Sequence, residues 1–452
     1  MNSISFAGLT GKIITPECPA YNKSRQIWNR AIQKFPYAIV YCHNKYDVSN
    51  AIIWSQRYDI PLRIRSGGHN YEGYSTDNAV IVIDLSEMNM LTLDEEKNQL
   101  TVQGGVNNKQ LYDYISSRGY PFPGGTCPTV CVSGYALGGG WGLSCRYLGL
   151  GCDSLVELEL VDYKGMFITA NNEHNSDLFW ACKGAGGGNF GVVVSMTFKL
   201  PPKVGKVTFV EIYYPNASQE KQALFLKTWQ EWLNEAGNNI TLIASIYNSP
   251  DEGLAIYSRG IFYGTPKEAR EVMQPFIDLG DAELNLEYLS FLETITKIGE
   301  SYPDSQMFKS TGRFVLRRYR TYEISNIIGL IQQRSMGSVY AAITLYALGG
   351  KVTEKGRRDT AFFYRDANYI MSIQSVWENR EYAQDNIDWV NRKFRYLESV
   401  TEGSYVNFPY SDLVDYLEEY YGLNADRLRV IKERYDPYNV FIFPQSIDRF
   451  DD

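Results

Sequence analysis

Two segments in the first third of this chain pair glycine with a reactive side chain. The first is Arg65-Ser66-Gly67-Gly68-His69-Asn70. The second runs from Pro123 to Gly142, PGGTCPTVCVSGYALGGGWG, and sets Cys127 between a glycine turn and Pro128. Histidine and cysteine are both nucleophiles. The glycines around them let main chain approach a bulky group where a Cβ would clash. The second stretch has no hydrophobic period, so it reads as neither an amphipathic helix nor a half-buried strand. Taken alone it is equally a buried glycine loop with an inert thiol. The second glycine-rich segment with its own reactive residue shifts that balance toward a site.

The elements that must position these residues follow from length and pattern. A chain of 452 residues exceeds one ordinary core and calls for two or three domains. With 44% hydrophobic and 21% charged residues it is globular. A net charge of −8 argues against a nucleic-acid partner, which demands a basic face. No run of ~18 apolar residues occurs, so no membrane span is expected. The start, Met1-Asn2-Ser3-Ile4-Ser5-Phe6, lacks the basic and apolar regions of a secretory signal, and a cytoplasmic location is the expectation. The seven cysteines show no CxxC spacing and none lies beyond Cys182, which disfavours a disulfide framework or a closed zinc site; no metal ligands are assigned. Thirty-five tyrosines bring flat bodies with polar tips, suited to a ring-shaped or polyhydroxylated ligand or to a tyrosine-rich sheet surface.

Along the chain, residues 36–65 read as strand, helix, strand, with the helix at Ser49 to Tyr58 capped by Asp47 or Ser49. The second strand, Leu62-Arg63-Ile64-Arg65, runs straight into the His69 segment. Ala79 to Leu85 is a continuous apolar strand of the kind covered on both faces. Gln99 to Gly104 is another strand, and Asn108 to Arg118 a helix closed by Gly119. Gly186 to Gly191 fits G-x-G-x-x-G, yet Val192 to Phe198 reads as a strand where a dinucleotide loop needs a helix, so that assignment is rejected. Beyond Pro201-Pro202 the strands alternate more clearly, between helices such as Gln219 to Glu235 and Pro266 to Leu279. That pattern predicts an antiparallel sheet with helices on one face.

Together these motifs resemble the berberine-bridge-enzyme-like branch of the vanillyl-alcohol-oxidase flavoprotein superfamily. The matching residues are Arg65 to Gly73, Cys127-Pro128-Thr129-Val130, Gly138-Gly139-Gly140-x-Gly142, Asp177 to Trp180 and Gly188 to Val193. Near the end of the chain, Tyr405-Val406-Asn407-Phe408, Tyr435-Asp436-Pro437-x-Asn439-Val440-Phe441 and Gln445-Ser446-Ile447 also match. The resemblance implies an α+β fold: a two-subdomain PCMH-type FAD-binding domain over 1–202, a substrate domain over 203–400, and a segment 401–452 returning to the FAD domain. It implies FAD held covalently by His69 and Cys127, with Cys131 as the competing thiol. Ser66, Gly67, Gly68, His69 and Asn70, following Arg65, would cradle the pyrophosphate with main-chain amides. Thr129, Val130, Gly134, Tyr135, Gly139 and Gly140 would line the flavin, Val192 the adenine, and Asn407 and Asn439 would offer polar contacts to the ring.

The implied reaction passes hydride from a substrate carbon of a sugar or a secondary-metabolite alcohol or amine to FAD, with dioxygen as final acceptor and hydrogen peroxide as product. Val130 stands where oxygen-reactive relatives carry valine. Phe408 stands where many relatives carry a tyrosine base, so Tyr405, Tyr410, Tyr364 or Tyr369 would have to substitute, or proton removal is weaker. Tyr135 replaces a frequent histidine. Gln374 faces either the pocket or solvent. The alternatives to an oxidase are a non-catalytic flavoprotein serving as a structural or coat component, fed by Phe408, and a thiol redox or metal protein, which the cysteine spacing disfavours.

Overall fold

The computed structural model describes residues 5–450. Its α+β architecture is built on three sheets. The first has strands β1 (Lys12–Ile14), β2 (Ala38–Tyr41), β3 (Leu62–Arg65) and β4 (Ile81–Asp84), in the order β1-β2-β4-β3. β2 and β3 both run parallel to β4. Every residue of β4 is buried, as a strand covered on both faces requires. The helix between β2 and β3 spans Lys45–Arg57, and its cap is Asn44, not Asp47 or Ser49. Asn44 is extended, and its side chain accepts from the amides of Tyr46 and Asp47 at 2.9 and 3.2 Å. The Asp47 carboxylate instead holds the Thr10 hydroxyl and the His43 amide.

The second sheet holds β5 (Leu91–Asp94), β6 (Gln99–Gln103), β7 (Leu155–Val161), β8 (Phe167–Asn171) and β9 (Val192–Lys199), antiparallel in the order β5-β6-β9-β7-β8. β9 starts directly after Gly191, so the G-x-G-x-x-G run opens a strand and presents no helix N-terminus to a phosphate. Helix Asn108–Ile115 carries a capping box on Asn107, and a short 3-10 turn after it closes at Gly119 with φ +86°.

The third sheet is antiparallel throughout. Its strands are β10 (Val207–Tyr214), β11 (Ile240–Ser249), β12 (Gly253–Phe262), β13 (Glu283–Leu289), β14 (Met307–Ser310), β15 (Arg313–Val315), β16 (Ser338–Ala347), β17 (Tyr369–Trp377) and β18 (Glu402–Ser404). Alternate residues such as Val210, Leu242, Ile343 and Met371 point to one face. There they pack against helices Gln219–Trp232, Thr321–Gly329 and Ala383–Val400 through Trp229, Ile327 and Trp389. Each fully buried Leu, Ile or Phe in that layer contributes roughly 1.5–3 kcal/mol. The helix expected over Pro266 to Leu279 is two pieces, Pro266–Val272 and Gln274–Ile277, with Pro275 opening the second because it has no N–H to continue the first.

The opposite face of this sheet, with Tyr346 of β16 and Gln374 of β17, looks toward the His69 and Cys127 loops across a cavity. After β18 the chain passes the cavity at Tyr405–Phe408, then forms helix Ala425–Tyr435. Lys432 of that helix is fully buried. It pairs with Asp436 at 2.6 Å and donates to the carbonyls of Asn189 and Phe441 at 2.9 and 2.8 Å. That clamp seats Phe441, Ile442 and Phe443 as cavity wall beside Gly186 to Asn189. Among the described residues, no helix is long and apolar enough to cross a membrane, and no His, Cys, Asp and Glu cluster is placed to hold a metal ion.

Candidate functional site

A cavity of about 410 Å³ lies among the loops after β3, the Pro123–Gly142 stretch, the free face of the third sheet and the C-terminal segment. Both His69 and Cys127 line it. One hydroxyl joins them: Thr129 Oγ1 is 2.9 Å from His69 Nε2 and 3.6 Å from Cys127 Sγ. The Trp28 ring stacks on the imidazole with centroids 5.3 Å apart. Burial pushes the His69 pKa down from 6.5 to about 4, so at neutral pH the ring is uncharged and keeps a lone pair for bonding. Cys131 also touches the cavity, but its thiol is bonded to the Gly105 carbonyl and burial, aided by Asp84, pushes it up to about 12. It is held as a thiol, whereas Cys127 is partly open.

The His69 segment makes a cradle. Among the described residues, none of the main-chain N–H groups of Ser66, Gly67, Gly68, His69 and Asn70 finds an acceptor in the protein. Gly68 takes φ +67°, which lets successive amides converge. Arg65 does not enter the cavity: it is buried against Asp84 and the Ser24 carbonyl and anchors the loop from behind. The Asn70 side chain closes the far end by accepting from the amides of Glu72 and Tyr74. Close by, the Tyr74 hydroxyl, Ser75 Oγ and Arg63 Nε are buried on the cavity wall without a partner. Unpaired amides and unpaired buried donors in one place suit an anionic diphosphate. Gly134 adds a second sign of fit: a Cβ built there meets nothing within 4 Å and would stand in the cavity. These residues fit FAD.

At the other end, Tyr135, Gln374, Tyr405 and Asn407 line the cavity as the sequence suggested, and so does Val130. Tyr405 is nonetheless a poor base. Its oxygen receives three N–H donors, from Gly140 and Trp141 at 3.0 and 3.1 Å and from Asn407 Nδ2 at 3.0 Å. A phenol oxygen has two lone pairs. Burial raises its pKa to about 12, although those donors pull the other way.

Several expected residues lie elsewhere. Tyr364 is buried behind the cavity, stacked on Phe314 and bonded to the Glu418 carbonyl at 3.3 Å. Tyr410 packs on Phe394 with its hydroxyl on Asn391, and Tyr369 sits in the helix-side core against Trp229. Neither Tyr364 nor Tyr410 reaches the cavity, so neither can take a substrate proton. Gly139 and Gly140 do not line it either. They turn the chain at φ +110° and +88° beneath Phe362 and Tyr135, where a Cβ would clash at 2.6 Å. Val192 is core, packed with Val161, Val194 and Phe441, and Asn439 forms the turn after helix Ala425–Tyr435.

Sequence reasoning missed Trp28, Arg63, Tyr71, Tyr302 and Tyr346. Tyr71 stacks on Phe408 with centroids 5.1 Å apart and planes within 3°. Tyr302 reaches the Cys127 loop through a 2.6 Å bond to Thr126 Oγ1. The guanidinium of Arg259 lies 5.1 Å from the centre of the Tyr302 ring. Arg259 is buried, and no carboxylate forms an ion pair with it among the described residues. Burial works against its charge while the phenols of Tyr302 and Tyr257 favour it, and its pKa ends above the ordinary value. Two of these had a local signal: Arg63 lies on the strand Leu62-Arg63-Ile64-Arg65 entering the His69 loop, and Tyr71 lies within the matched stretch Arg65 to Gly73.

Comparison with known proteins bears on the same residues. A model described as FAD binding domain matches residues 36–171, and one described as berberine and berberine like matches residues 404–448. The FAD-linked oxidoreductase YgaK of Bacillus subtilis is 35% identical, over 97% of this chain and 97% of its own. The structure of BBE-like 1 from Physcomitrella patens superposes with a TM-score of 0.88 at 26% identity, covering 96% of each chain. A glucooligosaccharide oxidase from Acremonium strictum, whose structure is described as carrying 6-S-cysteinyl, 8α-N1-histidyl FAD, shares the fold with a TM-score of 0.88 at 19% identity over 97% of each chain.

Proposed function

Since the chain belongs to the berberine-bridge-enzyme-like family and is an FAD-linked oxidoreductase, we propose that it carries FAD through both His69 and Cys127 and oxidises an alcohol carbon of a small polyhydroxylated ring, with dioxygen as the electron acceptor. The observation that carries this reading is the single Thr129 hydroxyl within reach of both His69 Nε2 and Cys127 Sγ, two side chains that line the same cavity. The bicovalent flavin described for the glucooligosaccharide oxidase supports it. A coat or structural role has no support in a chain whose relatives are oxidoreductases.

When bound, FAD supplies the hydride acceptor that dioxygen later regenerates, releasing hydrogen peroxide. The chain's own residues do the rest. The amides of Ser66 to Asn70 hold the diphosphate in an acidic protein that offers little basic surface. The stacked Tyr71–Phe408 pair presents a flat apolar wall, and Gln374 adds a hydrogen-bonding amide to the same cavity. Aromatic rings with sparse polar groups suit a neutral sugar-like ring. Val130, with a small side chain beside Cys127, leaves room for dioxygen.

Tyr302 is the group we assign to take the substrate hydroxyl proton in place of the absent tyrosine at 408. It is on the cavity wall, its hydroxyl lies 2.6 Å from Thr126 Oγ1, and the buried guanidinium of Arg259 lies 5.1 Å from its ring centre. Tyr302→Phe is expected to lower kcat/KM at least 100-fold with flavin content unchanged, as loss of a general base does. The overall reading is tested by denaturing the purified protein in acid, then offering the native protein a panel of sugars and alcohols without oxygen. Flavin fluorescence that stays with the chain, bleaching by a sugar, and hydrogen peroxide on admitting air are expected. Flavin released by acid, or a protein inert to the whole panel, would overturn it.

A further inference from the structure

We propose that Thr129 is the positioning residue for both flavin attachments: it accepts from His69 Nε2–H, which leaves Nδ1 open toward the flavin, and it donates its own proton toward Cys127 Sγ. This rests on the reading that His69 and Cys127 are the attachment points. A hydroxyl has one proton and two lone pairs, so it can serve both neighbours at once at the observed 2.9 and 3.6 Å. No other partner holds either ring nitrogen of His69 among the described residues, so Thr129 alone selects the tautomer. The Trp28 ring stacked on the imidazole limits the rotation that would exchange Nε2 for Nδ1. The hydrogen bond donated to sulfur fixes the direction in which Cys127 Sγ points.

Thr129 is itself fixed. Its turn is tied by Val130 N to the Cys127 carbonyl, Lys109 N to the Pro128 carbonyl and Asn108 N to the Val130 carbonyl, the last two at 3.0 and 2.9 Å. Asn108 Nδ2 holds the Cys127 carbonyl at 3.0 Å. The side chain therefore sits on a rigid loop, as a group that must aim two nucleophiles requires.

The chemistry balances with dioxygen as oxidant. At His69, a C–N bond replaces a C–H bond of the flavin methyl group and the Nε2–H bond. At Cys127, a C–S bond replaces a ring C–H and the S–H. Each attachment releases two electrons and two protons, which dioxygen carries off as hydrogen peroxide. The Nε2 proton leaves through the Thr129 hydroxyl, which afterwards turns to donate to the emptied Nε2.

The test compares Thr129→Val, which keeps the shape and removes the hydroxyl, with Thr129→Ser, which keeps the hydroxyl. Chains made without riboflavin are mixed with FAD in air, and intact mass and peptide maps follow each attachment over time. Thr129→Val is expected to bind FAD but attach it at least tenfold more slowly at His69 and Cys127, and Thr129→Ser to stay within about threefold of the natural chain. Equal rates in Thr129→Val and the natural chain overturn the proposal while leaving the covalent reading intact. A natural chain that never attaches FAD overturns the covalent reading itself. Nitrogen NMR of the flavin-free natural chain gives a second readout that needs no variant. The Nε2–H tautomer of His69 is expected, and the Nδ1–H tautomer overturns the proposal even where Thr129→Val does not fold.

Discussion

Lys432→Met probes the clamp that holds the C-terminal wall of the cavity. Lys432 and Asp436 are both fully buried, and the lysine also serves the carbonyls of Asn189 and Phe441. Methionine fills similar volume but leaves a carboxylate and two carbonyls short of a donor. Breaking a buried pair from one side costs about 3–5 kcal/mol. Asp436 keeps the amides of Val440 and Phe441, each at 2.8 Å. Those bonds put the expected loss at the low end, about 3 kcal/mol. With an unfolding entropy of about 2.1 cal/mol/K per residue, that loss lowers Tm by roughly 3 °C in a chain of 452 residues. Adding Asp436→Asn removes the stranded charge and should recover about half of the loss. Thermal unfolding followed by circular dichroism measures both, and hydrogen exchange at Val440 and Phe441 should quicken in the single variant. A loss below about 1 kcal/mol, or a double variant less stable than the single one, would refute the reasoning.

Three further outcomes follow from Gly134, Gly142 and His69. Gly134→Val should leave the flavin-free chain folded, since a Cβ there meets nothing within 4 Å, yet cut bound flavin at least tenfold. Gly142→Ala should instead fail to fold well, because its Cβ would lie 2.0 Å from the Gly124 carbonyl; melting curves with flavin absorbance separate the two. For His69 the folded pKa of about 4 lies below the unfolded 6.5, so the unfolded chain takes up the proton first and stability falls as pH drops from 6.5 toward 4. The full shift corresponds to about 3 kcal/mol, and contact with cavity solvent reduces the expectation to about 1–2 kcal/mol. Urea melts of flavin-free natural chain and His69→Gln at both ends of that range should differ in pH dependence by this amount. Matching curves would count against a desolvated imidazole.

Much of this was legible in the residue pattern because it depends on local rules. The strand after Gly191 excluded a dinucleotide loop from sequence order alone, and β9 occupies that place. The alternation after Pro202 gave the third sheet and its single helical face, since a half-buried strand must alternate. The cavity residues of the His69 and Cys127 loops were legible because glycine next to a nucleophile is a local signal. What failed was long-range. Tyr302 meets Thr126 and Arg259 only through folding, and no periodicity marks that meeting. Tyr364 and Tyr410 were candidates by residue type, but type does not say which way a side chain faces. Gly139 and Gly140 looked like flavin contacts because a glycine that makes a turn and one that admits a ligand are identical in sequence.

Peptide mapping of the purified protein tests the central claim most directly. A protease digest should yield one flavin-bearing species in which the peptide containing His69 and the peptide containing Cys127 are joined through a single FAD. Two separate unmodified peptides, or an adduct on Cys131 in place of Cys127, would contradict it.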